Sequence, residues 1–254
     1  MDNLSDKTIY NNELIKRIIS RINDFLSISG LDIQKNIQTS IDILFQALEK
    51  YSFYGISVSF NGGKDALVTL ILYIYTVYRY ASQKKIILKK IPAIYIKSPY
   101  SFPEVDFFVK KCSEDYVLDL VCKPSPMKNA LKEYLQDHLE IKAILIGTRR
   151  SDPGCDMLDF FNLTDPGWPS CVRVHPIINW RYSIIWEYVL INKLPQFLKG
   201  LDINYCTLYD KGYTSIGGTQ DTFRNPELQI EQDEFRPAYE LVDDCKERLG
   251  RKKM

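Results

Sequence analysis

The stretch that decides the fold is ISVSFNGGKDALVTLILYIYTVYRY, which runs from Ile56 to Tyr80. Its beginning, Ile56 to Phe60, is a short β-prone run, and an apolar helix is predicted from Asp65 to about Tyr80. The turn between them contains Gly62 and Gly63. A helix N-terminus offers unpaired N–H groups and a partial positive charge, while glycines let the backbone approach an anion and permit positive φ. The stretch therefore makes the turn between this strand and this helix a candidate phosphate site.

The same alternation continues along the chain. Further short apolar runs occupy residues 92–96, 117–121 and 143–146, and helical patterns occupy residues 103–112 and 126–139. Short strands that alternate with helices are typical of βαβ units. We therefore predict an α/β fold with a doubly wound, mainly parallel, Rossmann-like sheet. Ligands should bind beyond the carboxyl ends of its strands, at residues 59–65, 97–101 and 147–153.

Both ends of the chain depart from this alternation. Two amphipathic helices are predicted before it, over residues 14–26 and 37–48, and they are joined near Ser29 and Gly30. After Asp152 the pattern is irregular, with one more strand predicted at 172–178, a helix at 182–192 and little period from Asn204. Because no linker or repeat interrupts the chain, we predict a single domain, 1–254, with an N-terminal helical segment (1–50), a core (51–150) and C-terminal loops and tail (151–254).

The composition excludes several classes of protein. Lys and Arg total 33 and Asp and Glu total 32, and this net charge of +1 argues against nucleic acid as a partner. The first twenty residues lack the pattern of a signal peptide, and the longest uncharged apolar run, 66–78, is too short to span a membrane as a helix. Six cysteines without a C-x-x-C pair and only two histidines make a structural zinc site improbable and fit reduced thiols in the cytoplasm.

On local spacing alone, the loop from Ser59 to Asp65 has two interpretations. It is not a Walker A motif, because Val58 stands where the first glycine is needed and Asp65 follows Lys64 in place of Ser or Thr. It is not a G-x-G-x-x-G motif either. A plain turn that contains two glycines is as compatible with this spacing as a phosphate site is.

Later segments carry a resemblance to a known family. They are, in order, FPEV (102–105), GTRRSDP (147–153), TDPGWP (164–169), RVHP (173–176) with Trp180, YDKGYTSIG (209–217), RNP (224–226) and RPAY (236–239). The loop Ser59–Asp65 resembles the pyrophosphate-binding loop of the adenine-nucleotide α-hydrolase-like superfamily. Together the segments resemble the eukaryotic FAD synthase (FMN adenylyltransferase) family in its single-domain, fungal-type arrangement, within the branch related to phosphoadenylyl sulfate reductase. The resemblance runs from about Gly55 to Arg251.

This resemblance implies a reaction and its participants. AMP would pass from ATP to the phosphate of FMN to give FAD and pyrophosphate, in a Mg²⁺-dependent step. Residues 51–150 would then be the ATP-binding core, and residues 151–254 would contain the flavin-binding loops. The partners would be the small molecules ATP and FMN, and the protein would be a monomer that can deliver FAD transiently to apo-flavoproteins.

The resemblance also assigns residues to ATP. They are Ser59, Phe60, Asn61, Gly62, Gly63, Lys64, Asp65, Ile96 and Gly147. The loop would hold the β- and γ-phosphates. Lys64 can add charge there or point to solvent, and Asp65 can ligate Mg²⁺ through water or serve only as a partner of the helix dipole. Ile96 can meet adenine with its backbone or belong to the core.

A second set of residues is assigned to the flavin. They are Arg149, Asp152, Pro166, Gly167, Trp168, Pro169, Arg248 and Arg251. Arg149, which we favour over Arg150, suits bidentate contact with phosphate. Asp152 can orient the flavin, hold a metal through water, or simply form a turn before Pro153. With Asp65, Arg149 and Asp152 are the predicted catalytic residues, and Trp168 offers a flat face to the isoalloxazine ring.

Three other functions compete with this one. A sulfonucleotide reductase of the same fold would need a cysteine in a Glu-Cys-Gly-like context, but Cys206 lies in Tyr-Cys-Thr and Cys245 in Asp-Cys-Lys. A tRNA-modifying enzyme would be expected to carry C-x-x-C motifs and a basic face. A flavin-delivery protein without catalysis would not need the loop Ser59–Asp65.

Overall fold

A computed structural model of the protein describes residues 12–27, 32–86, 89–124, 126–190 and 204–252. The joint predicted near Ser29 and Gly30 and the last residues of the helix predicted to reach Asn192 lie outside these ranges.

The centre of the fold is a six-stranded sheet. Its strands are β1 (Ile56–Ser59), β2 (Ile91–Lys97), β3 (Leu118–Pro124), β4 (Ala143–Leu145), β5 (Phe161–Leu163) and β6 (Val172–Val174). They lie in the order β3-β2-β1-β4-β6-β5, and every neighbouring pair is parallel except β5 with β6. The predicted doubly wound, mainly parallel sheet is confirmed. The strand order reverses between β1 and β4, and ligands of such sheets bind at this switch point.

Helices cover the sheet. They are α1 (Glu13–Ser27), α2 (Asp32–Tyr51), α3 (Lys64–Lys84), α4 (Pro103–Asp115), α5 (Met127–Asp137) and α6 (Tyr182–Leu190). The helix α3 is apolar on all its faces because it packs against α1, α2 and α6. A helix that is apolar all round can also be a membrane span. No helix among the described residues is long and apolar enough to cross a membrane.

The structure differs from the sequence prediction mainly after Asp152. The strand β5 is only three residues long and pairs antiparallel at the sheet edge, which leaves no periodic signal in the sequence. The strand β6 is likewise only three residues long and ends at Val174 instead of Ile178. Between Asn204 and Lys252 the structure has short 3-10 helices: Thr207–Lys211, Pro226–Leu228, Ala238–Glu240 and Asp244–Gly250. Their turns are too short to show a hydrophobic period.

Candidate active site

Two cavities open at the switch point of the sheet, and both are lined by Ser59 and Ile146. The first, which we call the polar cavity, has a volume of about 270 Å³. The second, the apolar cavity, has a volume of about 300 Å³. The polar cavity is also lined by Asn61, Gly63, Lys64, Asp65, Ala66, Gly147, Thr148, Arg149, Asp152, Tyr209, Ser215, Ile216, Glu247, Arg248 and Arg251. Most residues assigned from the sequence to phosphate therefore lie around one cavity.

The loop after β1 depends on one of its two glycines for its shape. Gly62 has φ of +75°, and a Cβ there would lie 3.0 Å from Val109 Cγ2. Gly63 is extended, with φ of −73°, and its N–H donates to Asn61 Oδ1 at 3.0 Å. Of the two glycines, only Gly62 uses the positive φ that glycine permits. Phe60 does not face the cavity, because its side chain is fully buried against Phe108 in the core.

A buried cluster of charged side chains lies beside this loop. Lys64 Nζ lies 2.9 Å from Asp65 Oδ2 and 2.5 Å from Glu247 Oε1. Arg149 Nη2 lies 2.6 Å from Glu247 Oε2, and Arg149 Nε lies 2.7 Å from Asp65 Oδ1 without aligning its N–H on that oxygen. Lys64 is only 2% exposed, so the solvent-facing alternative for its side chain is wrong.

The cluster keeps Lys64 and Asp65 charged. Burial disfavours the charged carboxylate of Asp65, but Lys64 and Arg149 outweigh this effect and hold its pKa below the usual range. Burial also opposes the charge on Lys64, and Asp65 and Glu247 more than offset it, so the pKa of Lys64 is raised. Lys64 and Asp65 therefore both remain ionised although they are buried.

Asp152 forms a turn with Arg149. Its Oδ2 accepts the Arg149 backbone N–H at 2.9 Å, and its own N–H donates to the Arg149 carbonyl at 3.0 Å. Its Oδ1 lies 3.6 Å from Arg248 Nη1. Burial raises the pKa of Asp152, although Arg149 opposes the shift. Asp152 is thus a turn-forming residue and also a carboxylate at the cavity wall. Arg150, in contrast, donates to the carbonyls of the loop 156–158 away from the cavity.

Two arginines reach the polar cavity from the last 3-10 helix and the residue after it, Arg248 and Arg251. Arg251 Nη2 lies 3.1 Å from Asp221 Oδ2, and its guanidinium lies so close over Gly217 that a Cβ there would collide with it. Asp221 Oδ1 in turn accepts the Gly218 N–H at 3.0 Å. The segment after Tyr209 therefore holds Arg251 in place.

The apolar cavity lies between the ends of β2 and β4 and against α5. Its lining consists of Ser59, Ile94, Ile96, Met127, Leu131, Ile144, Ile146, Thr164, Asp165, Trp168, Cys171 and Arg173. The sequence assigned Ile96 to adenine and Trp168 to the flavin, and the structure brings both to this one cavity. The neighbours Pro166, Gly167 and Pro169 do not line either of the two cavities.

Comparisons with known proteins agree with this geometry. The family model described as "Phosphoadenosine phosphosulfate reductase domain" matches residues 55–131 and 118–224. A probable FAD synthase of Schizosaccharomyces pombe is 39% identical over 220 residues, which cover 86% of this chain and 80% of that protein. The chain belongs to the FAD synthase family. It also belongs to the broader reductase-like family of that model, and FAD synthase is the closer group because its match spans most of both chains.

Solved structures resemble this FAD synthase family member along nearly its whole length. The crystal structure of Candida glabrata FMN adenylyltransferase in complex with FMN and the ATP analogue AMPCPP has a TM-score of 0.85 and 26% identity, and covers 97% of this chain and 98% of that one. The structure of the same enzyme with FAD and inorganic pyrophosphate has a TM-score of 0.84 and 27% identity, and covers 95% and 97% of the two chains. These similarities extend to the region after Asp152 that the sequence pattern left irregular.

The sequence analysis did not predict that Glu247, Tyr209, Ser215 and Ile216 belong to the site. Glu247 directly precedes Arg248, and its burial among short turns gives no periodic signal. Tyr209 Oη accepts the Lys64 backbone N–H at 2.8 Å and so uses one of the free donors at the start of α3. A signal did exist for these residues, because Tyr209, Ser215 and Ile216 lie in the segment YDKGYTSIG that carried the resemblance.

The six cysteines form no disulfide in the described part of the chain. All are free, and Cys206 is buried with its pKa raised by that burial. Cys245 is exposed on the last 3-10 helix. Neither lines the polar cavity, where a reductase would need its thiol to meet the substrate. No group of His, Cys, Asp or Glu among the described residues could form a metal cage.

Proposed function

We propose that this FAD synthase family member transfers AMP from ATP to the phosphate of FMN at the polar cavity, with Mg²⁺. A phosphate oxygen of FMN attacks the α-phosphorus of ATP, the new P–O bond forms, and the bond to the β-phosphate oxygen breaks. FAD and pyrophosphate are the products. The observation that carries the proposal is the junction of a polar and an apolar cavity at Ser59 and Ile146, which suits a ligand with both phosphates and a flat ring.

The charges of the polar cavity support a need for a divalent cation. Four of its lining side chains are positive, Lys64, Arg149, Arg248 and Arg251, and three are negative, Asp65, Asp152 and Glu247. A net charge of +1 is small beside two polyanionic substrates that must come into contact. Mg²⁺ is usually held by substrate phosphates and one or two carboxylates rather than by a cage of protein groups.

The residues present fit such an ion. Asp65 Oδ1 is buried and accepts no hydrogen bond from the described residues, and Asp152 Oδ1 lies 3.6 Å from Arg248 Nη1, beyond hydrogen-bond distance. Asp65 and Asp152 would therefore be the carboxylates that hold Mg²⁺ together with phosphate oxygens. The ion would supply positive charge at the phosphates during the transfer.

The chain itself mainly positions the two phosphate groups. We assign the pyrophosphate of ATP to the loop after β1, where Ser59 and the N-terminus of α3 offer donors. We assign the FMN phosphate to Arg248 and Arg251 on the opposite wall. Arg149 lies between them, and its Nη1 has no partner among the described residues. Since Glu247 already engages Nη2, we revise the expected bidentate contact of Arg149 to a contact through Nη1.

Steady-state kinetics can distinguish the position of the adenine ring from that of the isoalloxazine ring. Because Ile96 and Trp168 line the same cavity, we propose that adenine lies against β2 at Ile96 and that the isoalloxazine ring lies against Trp168. We expect Trp168→Ala to raise the KM for FMN about tenfold or more, since base stacking on an aromatic face contributes about 1–3 kcal/mol. A rise in the KM for ATP alone would reassign Trp168 to adenine.

We also propose that the protein is a cytoplasmic monomer built as a single domain, which can hand FAD transiently to apo-flavoproteins. Six free thiols support a reducing compartment. One hydrophobic core that joins Ile15 of α1 to Leu241 supports a single domain. Light scattering of the purified protein with and without FAD tests the monomer, and transfer of FAD to an apoenzyme in the presence of a flavin trap tests delivery.

The decisive experiment is turnover of the purified protein with FMN, ATP and Mg²⁺. We expect FAD, followed by chromatography, and pyrophosphate, followed by a coupled assay, to appear in equal amounts. Omission of Mg²⁺ should abolish both, and omission of FMN should abolish pyrophosphate release. Flavin binding without either product would contradict the proposal and favour a delivery protein.

A further inference from the structure

The side chain of Glu247 joins two parts of the site that are far apart in sequence. It lies near the C-terminus, in the 3-10 helix Asp244–Gly250, and is only 5% exposed. Its Oε1 accepts from Lys64 Nζ at 2.5 Å and from Arg149 Nη2 at 2.7 Å, and its Oε2 accepts from the same Arg149 nitrogen at 2.6 Å. One carboxylate thus connects the start of α3, the loop after β4 and the last helix.

The backbone of Glu247 is held as firmly as its side chain. Its carbonyl accepts from Thr214 Oγ1, and Asn225 Nδ2 donates to Thr214 Oγ1 at 2.9 Å and to the Lys246 carbonyl at 2.8 Å. Thr214 and Asn225 are both fully buried. A buried polar network in which these groups are bonded to one another favours a single arrangement of the helix.

Besides Glu247, the two cations Lys64 and Arg149 have Asp65 as their charged partner. Lys64 Nζ lies 5.1 Å from the centre of the Tyr182 ring and 5.9 Å from that of Tyr209, so aromatic faces close its other sides. Arg149 Nη1 lacks a partner among the described residues, although Nη2 is fixed on Glu247. Glu247 therefore sets the direction in which the free nitrogen of Arg149 points.

The same helix brings the two other arginines to the cavity. Arg248 follows Glu247 directly, Arg251 comes four residues after it, and both line the polar cavity. A change in the position of Glu247 would move them together with Arg149. Glu247 does not suit the role of a base, because both of its oxygens already accept from cations and an ionised FMN phosphate needs no proton removed.

We propose that Glu247 is a positioning residue, which orients Arg149 and fixes the helix carrying Arg248 and Arg251 against the phosphate loop. The proposal rests on the proposed function. Glu247 would couple the binding of the two substrates, because its carboxylate sets the geometry of the groups assigned to the ATP phosphates and to the FMN phosphate. In an in-line transfer, a displacement of about 1 Å at such groups can cost on the order of a hundredfold in rate.

The test compares Glu247→Gln with Glu247→Asp and with the control Glu240→Gln, which removes an exposed carboxylate outside the cavity. We expect Glu247→Gln to lower kcat about a hundredfold, with a smaller rise in the KM values for both ATP and FMN. Glu247→Asp keeps the charge but shortens the side chain, and we expect kcat to fall by a similar factor with a smaller fall in melting temperature than Glu247→Gln shows. Glu240→Gln should match the wild type.

Melting temperatures are measured first, and rates are then compared where every variant is folded. If Glu247→Gln does not fold, the Glu247→Asp variant alone decides. A kcat within about twofold of wild type in the folded variants would overturn the proposal, as would a defect confined to stability. A wild-type protein that makes no FAD would instead overturn the proposed function, so the two failures are distinguishable.

Discussion

The parallel sheet and the C-terminal region, residues 204–252, reach order by different means. In the sheet, strands such as β1 and β4 are buried on both faces and belong to one apolar cluster with the surrounding helices. In the C-terminal region the helices are short 3-10 turns, and bonds such as Asn225 to Thr214 and Thr214 to Glu247 hold them together. The site lies where the two regions meet. Apolar packing positions the phosphate loop, and polar bonding positions the arginines opposite to it.

The largest effect is expected where the two regions meet, at Asp152. We expect Asp152→Ala to lower turnover by a factor of about 100 to 1000, since loss of one oriented polar group at a developing charge has effects of that size. The fold should survive, because Asp152 is partly exposed. Steady-state kinetics and circular dichroism measure the two properties.

Asp152→Asn is the matched variant for this prediction. Its side-chain oxygen can still accept the Arg149 N–H, so the turn is kept while the charge is lost. We expect it to be folded and nearly as slow as Asp152→Ala. Wild-type turnover in Asp152→Asn would reduce the residue to a turn former, and wild-type turnover in Asp152→Ala would remove it from the site.

The next effect concerns a polar group left inside the sheet region. His175 follows β6, is 1% exposed, and neither ring nitrogen has a hydrogen-bond partner among the described residues. Burial, with the nearby Arg173, lowers its pKa to about 4. The unfolded chain binds a proton near pH 6.5 and the folded chain only near pH 4, so stability falls as the pH drops through this range. The loss reaches about 3 kcal/mol.

Denaturant unfolding at several pH values, followed by fluorescence, measures this slope. Protonation of carboxylates with a lowered pKa, such as Asp65, also makes the protein less stable in acid. The comparison of the wild type with His175→Asn therefore isolates the contribution of the histidine. Between pH 6.5 and pH 4, the free energy of unfolding of that variant should fall by about 3 kcal/mol less than that of the wild type. An unaltered slope in His175→Asn would contradict the prediction.

How much of the fold and of the site could be predicted from the sequence depends on whether apolar packing or polar bonding holds each part. The strands β1 to β4 are short apolar runs and α3 is apolar on all its faces. Both patterns reflect burial, so the sequence predicts the fold and the place of the phosphate loop. Glu247 could not be placed from a pattern, because its partners Lys64 and Arg149 lie 183 and 98 residues away. Local spacing likewise cannot show that Phe60 faces the core or that Trp168 and Ile96 share a cavity.

A smaller effect is expected where the backbone of the loop after β4 meets the first turn of α3. A Cβ on Gly147 would lie 2.6 Å from the Asp65 carbonyl carbon and 2.7 Å from the Ala66 nitrogen. We expect Gly147→Ala to separate the loop from the first turn of α3, at a cost of about 1–3 kcal/mol in the free energy of unfolding. The KM for ATP should rise as well.

Gly154→Ala is the control for this substitution. A Cβ on Gly154 meets nothing within 4 Å, although its φ is +73°. It should cost about 1 kcal/mol through backbone strain alone and leave the KM for ATP unchanged. Equal effects at Gly147 and Gly154 on both quantities would show that the close approach of α3 and the loop after β4 does not matter.

The smallest effect tests the polar bonding of the C-terminal region. Arg251→Ala should raise the KM for FMN about tenfold because a phosphate contact is lost. Asp221→Asn leaves Arg251 present but weakens the partly exposed pair that holds it, and such pairs contribute no more than about 1 kcal/mol. The KM for FMN should therefore rise by a factor of about three, with the KM for ATP unchanged. Glu104→Gln, which breaks a comparable pair with Lys211 outside both cavities, should change neither value.

If Asp221→Asn raised the KM for FMN as much as Arg251→Ala, the position of the guanidinium would depend on the bond to Asp221 alone. The C-terminal region would then be held by separate polar bonds, and its packing would be less cooperative than the apolar packing of the sheet. If Arg251→Ala had no effect, its presence in the cavity would be unrelated to FMN.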